Sequence, residues 1–568
     1  MGEIARRDFL KGAAVSAAGV VAAGSLVACS SGSGSSSSSS SSGSSGGLNS
    51  LDQKWSFEVA PDPIPESDIT ETIEADVIVV GGGISGLVSA MSCLENGLDV
   101  VLISASKAAV SRGGSNNAVY SSVMQELGLP RQDPEWFYRK EYVANAGNYK
   151  PGFWYKFYNN SEEAMSWVIE KATAAGIKTT IESGPKYEYP DPMWTPPAAH
   201  SFYVDDSELE AEVGTGQPHI AKEFARLVAE DLGGKIYWET KGEQLEQDSS
   251  GRVVAVIASD TDGAYKKYAG SKAVILATGD FSHDEEMMTK FCPAAVKLCD
   301  FTTEINYDQG LWMGGLMPGD GQKMGLWVGA AWQRSETNVM MLGRPNLPCD
   351  QPYTSHTGLM VDNTGSRFMN EDVLGGLACA TIMECPEGVA YPIWGTNRAA
   401  AGMPWGKPNA VYGTDFASAE EFIETWDTDA YGFGVIKNDT LEGLIADLGL
   451  PASTIDTVKR YNELCASGKD TDFYKSASKM IPVTDGPFYG CEFKPGFLTS
   501  LGGLRTNLGL QVCNDADEPI PGLFNVGSMI GDLYSGTYTF AMEGINYGMA
   551  CITLPYVLGK ELGSGKFD

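Results

Sequence analysis

The residues with the clearest chemistry are Gly81-Gly82-Gly83-Ile84-Ser85-Gly86, a G-x-G-x-x-G run. An apolar strand, Ala75 to Val80, enters it, a small-residue amphipathic segment from Leu87 to Asn96 leaves it, and a second apolar strand, Asp99 to Ile103, follows. Gly81 permits the tight turn, Gly83 lets backbone approach a pyrophosphate, and Gly86 lets helix and strand touch. The helix start at Ile84 and Ser85 offers free N–H groups and a positive dipole end to the phosphates. Glycines alone are weak evidence; glycines inside a βαβ unit predict dinucleotide binding. The four histidines, His200, His219, His283 and His356, show neither triad nor metal spacing. The eleven cysteines form no C-x-x-C and no haem-attachment run. Cys292/Cys299 and Cys379/Cys385 come nearest to cluster spacing, but buried free thiols and no metal are the expectation.

The elements that must position such a site recur along the chain. Ser111-Arg112-Gly113-Gly114-Ser115-Asn116-Asn117-Ala118 is a second glycine-rich loop, soon after the second strand. Leu232 to Tyr265 reads as a meander of short strands, followed by a strand ending in Ala277-Thr278-Gly279-Asp280. Pro318-Gly319-Asp320-Gly321 and the strand-like Pro521 to Gly527 complete the series. In this order the landmarks resemble the flavoprotein superfamily of fumarate reductase, succinate dehydrogenase and the 3-ketosteroid 1-dehydrogenases, and the exported urocanate reductase-like enzymes. The resemblance covers about Glu74 to Leu562.

That resemblance implies an α/β fold: a Rossmann-like FAD-binding domain assembled from residues 74–350 and 487–568, with an inserted α+β capping domain at 351–486. It implies non-covalent FAD, with Gly113, Gly114 and Ser115 along the flavin, Thr278 and Gly279 at the adenosine side, and Asp320 as a further cofactor-binding candidate. A helix starting near Met542 is expected to aim its N-terminus at the isoalloxazine, where a positive dipole end favours the anionic reduced ring. Two departures stand out. Ser104 ends the second strand where the family carries a ribose-binding Glu, and Gly527-Ser528 replaces its Gly-Glu, leaving Asp532 as a candidate ribityl ligand.

The capping segment contains Gly358 to Glu371, in which Arg367 resembles a scaffold residue of the family. The resemblance also offers two catalytic candidates. Arg398, just after the strand Ala390 to Trp394, stands within one residue of the family's proton-delivering Arg. Free Arg is a poor acid, so that role needs a relay or an electrostatic stabilisation of an enolate. Tyr538 resembles the tyrosine that hydrogen-bonds the ketone oxygen in ketosteroid dehydrogenases. Where fumarate reductases carry cationic carboxylate binders, this chain reads Phe497-Leu498 and Tyr538. The expected pocket is therefore apolar and aromatic, unsuited to a small dicarboxylate. The stretch Tyr187 to Tyr203, with His200, is a candidate lid.

At the N-terminus, Arg6-Arg7-Asp8-Phe9-Leu10-Lys11 is a twin-arginine signature before a short apolar run. Leu26-Val27-Ala28-Cys29 looks like a lipoprotein cleavage box, with Cys29 as the lipid-bearing residue, so residues 1–28 read as a signal. Residues 29–73 read as anchor, Ser/Gly tether and arm. The Ser/Gly tract has nothing to bury and reaches on the order of 25 Å as a coil. A formal net charge of −33 argues against nucleic acid and for a cationic redox partner, although solubility alone also explains it.

The expectation is an exported, FAD-dependent oxidoreductase that reduces an activated C=C bond of an enoate or enone. Its electrons come from an external cytochrome or quinol-linked donor. Two alternatives stay open: dehydrogenation of a ketosteroid-like substrate, and a flavin-bearing electron carrier or lipoprotein binding module.

Overall fold

The computed structural model describes residues 55–568 except 183–196, 205–216, 311–312, 345–357, 374, 401–417, 431 and 433. The signal, Cys29 and the tether lie outside the described residues, as do the expected capping boundary at Gln351 and most of the Tyr187 to Tyr203 stretch.

Strand β1 (Ile69–Val80) turns through the glycines into α1 (Ile84–Glu95) and returns as β2 (Val100–Ile103). All four residues of β2 and the last four of β1 are buried, as a parallel strand covered on both faces requires. A small sheet then forms from β3 (Asn116–Asn117), β4 (Lys178–Ile181) and β5 (Ala199–Tyr203), around helices α2 (Pro134–Ala144) and α3 (Pro151–Ala174). The predicted meander follows as β6 (Lys235–Tyr237), β7 (Lys241–Gln247), β8 (Val253–Ser259) and β9 (Tyr265–Leu276). β9 runs parallel to β1 with Val80 opposite Leu276.

Helix α4 (Asp320–Trp327) precedes β10 (Asn338–Arg344). The next segment holds β11 (Leu359–Asp362), α5 (Gly375–Met383), β12 (Ala390–Gly395), α6 (Asn397–Ala400), β13 (Ile436–Asn438) and β14 (Phe488–Gly490). Its four strands pair in the order β11-β12-β14-β13. The sheet takes β14 from beyond Gly486, where the sequence suggested the segment ends. β15 (Lys494–Leu501) pairs antiparallel with β10. The chain closes with β16 (Gln511–Cys513), β17 (Pro519–Asn525), a π-helical turn Tyr547–Thr553 and α7 (Leu554–Gly563).

The main sheet has the order β16-β17-β9-β1-β2-β6. From β1 one connection leads to β2 and the other neighbour is β9, so the strand order reverses beside the Gly81 turn. Ligands of open α/β sheets bind at such a switch point. The fold is thus α/β, with a parallel sheet built from both ends of the chain and further sheets inserted. Among the described residues no helix is long and apolar enough to cross a membrane.

Candidate active site

A cavity of about 670 Å³ opens at the switch point, a size suited to one large ligand. Gly81 has φ +121°, and a Cβ there would run into the Ala277 carbonyl oxygen. One on Gly86 would run into the Gly81 carbonyl. Gly83 is different: an added Cβ would meet nothing closer than Val110 O at 3.9 Å, so its open side is available to a ligand. Gly81, Gly83, Ile84 and Ser85 line the cavity, whereas Gly86 serves the contact between turn and helix.

At one end the cavity meets Ser104. Its Oγ accepts the Gly82 N–H at 3.1 Å and lies 2.8 Å from Ser106 Oγ, which itself donates to the Ala108 carbonyl. Ser104 therefore spends its proton on Ser106, and the Ser106 N–H also reaches its oxygen at 3.4 Å, so the bonds of this hydroxyl are already committed within the turn. Asp320 also lines this end, but its carboxylate accepts the Tyr307 hydroxyl at 2.8 Å and lies 3.7 Å from Lys241 Nζ. Thr278 Oγ1 accepts the Gly321 N–H at 3.2 Å and ties the end of β9 to α4, while Gly279 keeps φ +86°.

The other end is built from the second glycine loop and the C-terminal helix. A Cβ on Gly113 would stand 2.7 Å from the Tyr547 ring, and one on Gly544 2.6 Å from the Ser115 carbonyl carbon. Ser115 donates its hydroxyl to the buried Glu182 at 2.9 Å. Gly113, Gly114, Ser115, Ser528, Gly544 and Asn546 all line the cavity. Asp280 does too, and the sequence reading missed its role. Its Oδ2 accepts from Thr499 Oγ1 at 2.6 Å and from Ser500 N at 3.1 Å, with Arg112 3.9 Å from Oδ1.

Besides Gly86, four expected site residues, three of them cofactor ligands and one catalytic, do not line the cavity. Asp532 is a latch: it accepts from the Arg334 and Ser335 N–H groups at 3.0 and 2.8 Å, and Lys150 Nζ sits 3.1 Å away. Gly527 adopts φ +77° against Ser85 rather than the cavity. Met542 is core, because the helix starts three residues later and leaves Gly544 and Asn546 at the cavity wall. Arg398, on α6, is 1 % exposed and absent from the cavity wall that Tyr538 lines. His200 is no lid residue. It is buried between the Asn116 carbonyl and Ser121 Oγ, and burial lowers its pKa to about 4.

Tyr538 shares the cavity lining with the apolar Met340 and Leu342 from β10, Leu498 from β15, and Phe540, and with the polar Arg112, Thr499 and Asn546. Phe497 points away, into a separate core with Val339 and Met341. A bulge explains this. Met340 opposes Thr499 and Met341 opposes Phe497, so Leu498 is the extra residue, and the pleat is re-aimed there. The Tyr538 ring meets Phe540 edge-on at 4.8 Å and Tyr534 at 5.4 Å. Burial, with Glu141 nearby, pushes its phenol pKa well above the ordinary value.

The residues present suit FAD. The turn glycines that line the cavity would cradle a pyrophosphate, and Asp280 Oδ1 and Asn546 Oδ1 are buried acceptors without a hydrogen-bond partner among the described residues, matching a ligand with N–H and hydroxyl donors. Residues 76–545 match the FAD binding domain family. The chain belongs to this family. Digoxin reductase of Eggerthella lenta is 24% identical, over 98% of this chain and 96% of its own. Vinyl phenol reductase of Lactiplantibacillus plantarum is 22% identical over 86% and 95% respectively. The open conformation of a flavocytochrome c3 fumarate reductase superposes with TM-score 0.62 at 19% identity, covering 91% of this chain and 83% of that one. The chain is therefore an FAD-dependent, fumarate reductase-like oxidoreductase with this family's fold.

Proposed function

We propose that this flavoprotein reduces the activated C=C bond of an apolar enone or enoate, with Tyr538 as proton donor. The observation that carries the reading is that Tyr538 lines the cavity together with the apolar Met340, Leu342, Leu498 and Phe540. Such a wall suits a flat or bulky apolar substrate better than a dicarboxylate, and the names of the two relatives, digoxin reductase and vinyl phenol reductase, point the same way.

FAD, when bound, supplies the hydride for the β-carbon. Tyr538 supplies the other half of the reaction. Its hydroxyl donates to the substrate's carbonyl oxygen as enolate charge grows there, and its proton then neutralises the intermediate. The phenol holds its proton at neutral pH, with burial raising its pKa further, so it is present as a hydrogen-bond donor to the carbonyl oxygen. The apolar wall excludes water and strengthens the hydrogen bond. Arg398, buried outside the wall, serves the inserted segment as scaffold.

The same reading places the enzyme outside the cytoplasm. The twin-arginine signature and Cys29 support export and a lipid anchor, and the Ser/Gly tract supports a tether that lets the domain reach a membrane-linked cytochrome or quinol system. A net charge of −33 complements a cationic donor protein and disfavours nucleic acid.

The test is anaerobic. The FAD-loaded enzyme is reduced and mixed with enones, enoates and vinyl aromatics, and the return of oxidised-flavin absorbance is followed. Reoxidation by an apolar alkene, slowed about 10²-fold or more in Tyr538→Phe and little in Arg398→Gln, is expected. Reoxidation by fumarate alone, or equal rates in wild type and Tyr538→Phe, would overturn the proposal.

A further inference from the structure

Strand β2 leaves the cavity short of an acceptor at its Ser104 end. In dinucleotide folds a carboxylate at the end of the second strand ordinarily takes the hydroxyls of the adenosine ribose. Here that place is Ser104, whose hydroxyl is engaged with Gly82 and Ser106. A carboxylate reaches the same end from another element. The Thr240 N–H donates to the Ser104 carbonyl at 2.8 Å, and the next residue, Lys241, stands 3.7 Å from Asp320 Oδ1 at the start of α4. Thr240, Lys241 and Asp320 line the cavity with Ser104.

The side chain that fixes this carboxylate is Tyr307, on loop 300–314. The loop is closed at its base, where the Asp300 N–H donates to the Gly314 carbonyl at 2.7 Å. Compact surface loops with joined ends frequently carry function. Residues 302–306 and Asp308 face solvent, yet Tyr307 turns inward, lines the cavity and donates its hydroxyl to Asp320 Oδ2 at 2.8 Å. Asp308 pins the loop on the opposite side. Its Oδ1 accepts the Lys107 N–H at 2.7 Å, one residue past the cavity-lining Ser106. The loop thus joins α4 to the segment that follows β2. A carboxylate has about four lone-pair positions. Tyr307 takes one and Lys241 faces the other oxygen, which leaves acceptors for a pair of vicinal hydroxyls.

We propose that Tyr307 orients Asp320 toward the adenosine ribose of FAD, and that loop 300–314, pinned by Asp308, supplies the ribose site that β2 does not carry. Tyr307 acts through Asp320 and is a positioning residue. Burial, and then the Asp320 charge, push its phenol pKa up, so the hydroxyl stays a donor. Lys241 cannot take over this task alone, because its ammonium is shared with Glu243 at 2.9 Å. Adenosine bound here would tie together α4, the loop and the segment after β2, so FAD would leave slowly only while the loop stays pinned.

The test uses the full chain stripped of FAD, titrated with FAD and separately with ADP, which carries the adenosine end without the flavin. Tyr307→Phe keeps the ring and loses only the hydroxyl. It should weaken both ligands by the same factor, about tenfold, and leave the midpoint potential of the FAD-loaded protein unchanged. In an Asp320→Ala background the same substitution should cost less than about twofold, because its partner is gone. Asp308→Ala, a change at an exposed residue, should speed FAD release about threefold and weaken ADP in step; it stands in if Tyr307→Phe fails to fold. Unchanged ADP affinity in both variants, or a loss with FAD that ADP does not share, overturns the proposal. So does a Tyr307→Phe penalty that persists undiminished without Asp320, which would reduce the tyrosine to packing.

Discussion

The Arg112 N–H donates to the Tyr547 phenol oxygen at 2.9 Å, across 435 residues of sequence. This bond joins the second glycine loop to the helix that closes the chain, and Gly113 lies directly beneath the same ring. Loop and helix therefore hold the cavity wall as one unit. Tyr547→Phe removes the acceptor and should weaken FAD binding by about 1 kcal/mol, roughly fivefold in Kd. Gly113→Ala should do more, because its methyl would stand 2.7 Å from the ring in a wall with no slack. Fluorescence titration of the deflavinated protein with FAD measures both; equal affinities in all three proteins would disprove the coupling.

Asp532 separates two assignments by experiment. As a ribityl ligand, its loss would lower FAD affinity. As the latch seen here, its carboxylate satisfies the Arg334 and Ser335 N–H groups and faces Lys150. Asp532→Ala should therefore leave the FAD Kd within about twofold while lowering unfolding free energy by about 1–3 kcal/mol. Urea denaturation and FAD titration on one preparation decide the matter.

Arg367 forms the densest charge cluster of the inserted segment. Its guanidinium bonds Glu371 at 3.0 and 2.7 Å and Asp470 at 2.9 Å, between the rings of Tyr461 and Phe473. Lys475 Nζ stands 3.5 Å from the same Glu371. Removing one cation from such a site leaves carboxylates that are out of water and under-compensated. Arg367→Met should destabilise the protein by about 3–5 kcal/mol, read as a lower denaturation midpoint. Substituting the cluster as a whole by apolar residues should be far milder than the single change.

Backbone features were legible in the sequence because they are local. The glycine spacing placed Gly81, Gly83 and the start of α1, and the apolar runs placed β1, β2, β9 and β12. The cavity wall around Tyr538 was not legible. Phe497 and Leu498 looked alike as apolar neighbours, and only the bulge opposite Met340 and Met341 decides which one lines the cavity. Asp280 was visible after Thr278-Gly279, but its role comes from Thr499, 219 residues away. The burial of Glu141 on α2 was invisible for a related reason. A Glu on a polar-looking helix reads as solvated until tertiary contacts bury it.

That burial has a consequence for stability. Glu141 titrates near its ordinary value of 4.5 when the chain is unfolded, and at about 8 when folded, because burial penalises the carboxylate. Glu543 is raised in the same sense, by burial and then by Glu182. The folded state therefore binds more protons than the unfolded state between those two pH values, so stability falls as pH rises through that window. Below pH 4.5 both states hold the proton and the contribution is flat; above pH 8 the full penalty is present. Unfolding free energy measured by urea at a series of pH values should decline from about pH 5 to pH 8 by a few kcal/mol. Glu141→Gln has no proton to lose and should flatten much of that slope, leaving the part due to Glu543 and, in the opposite sense between about pH 4 and 6.5, the part due to the buried neutral His200. A wild-type curve that instead rises across the window would mean that the Glu141 carboxyl is ionised in the folded protein.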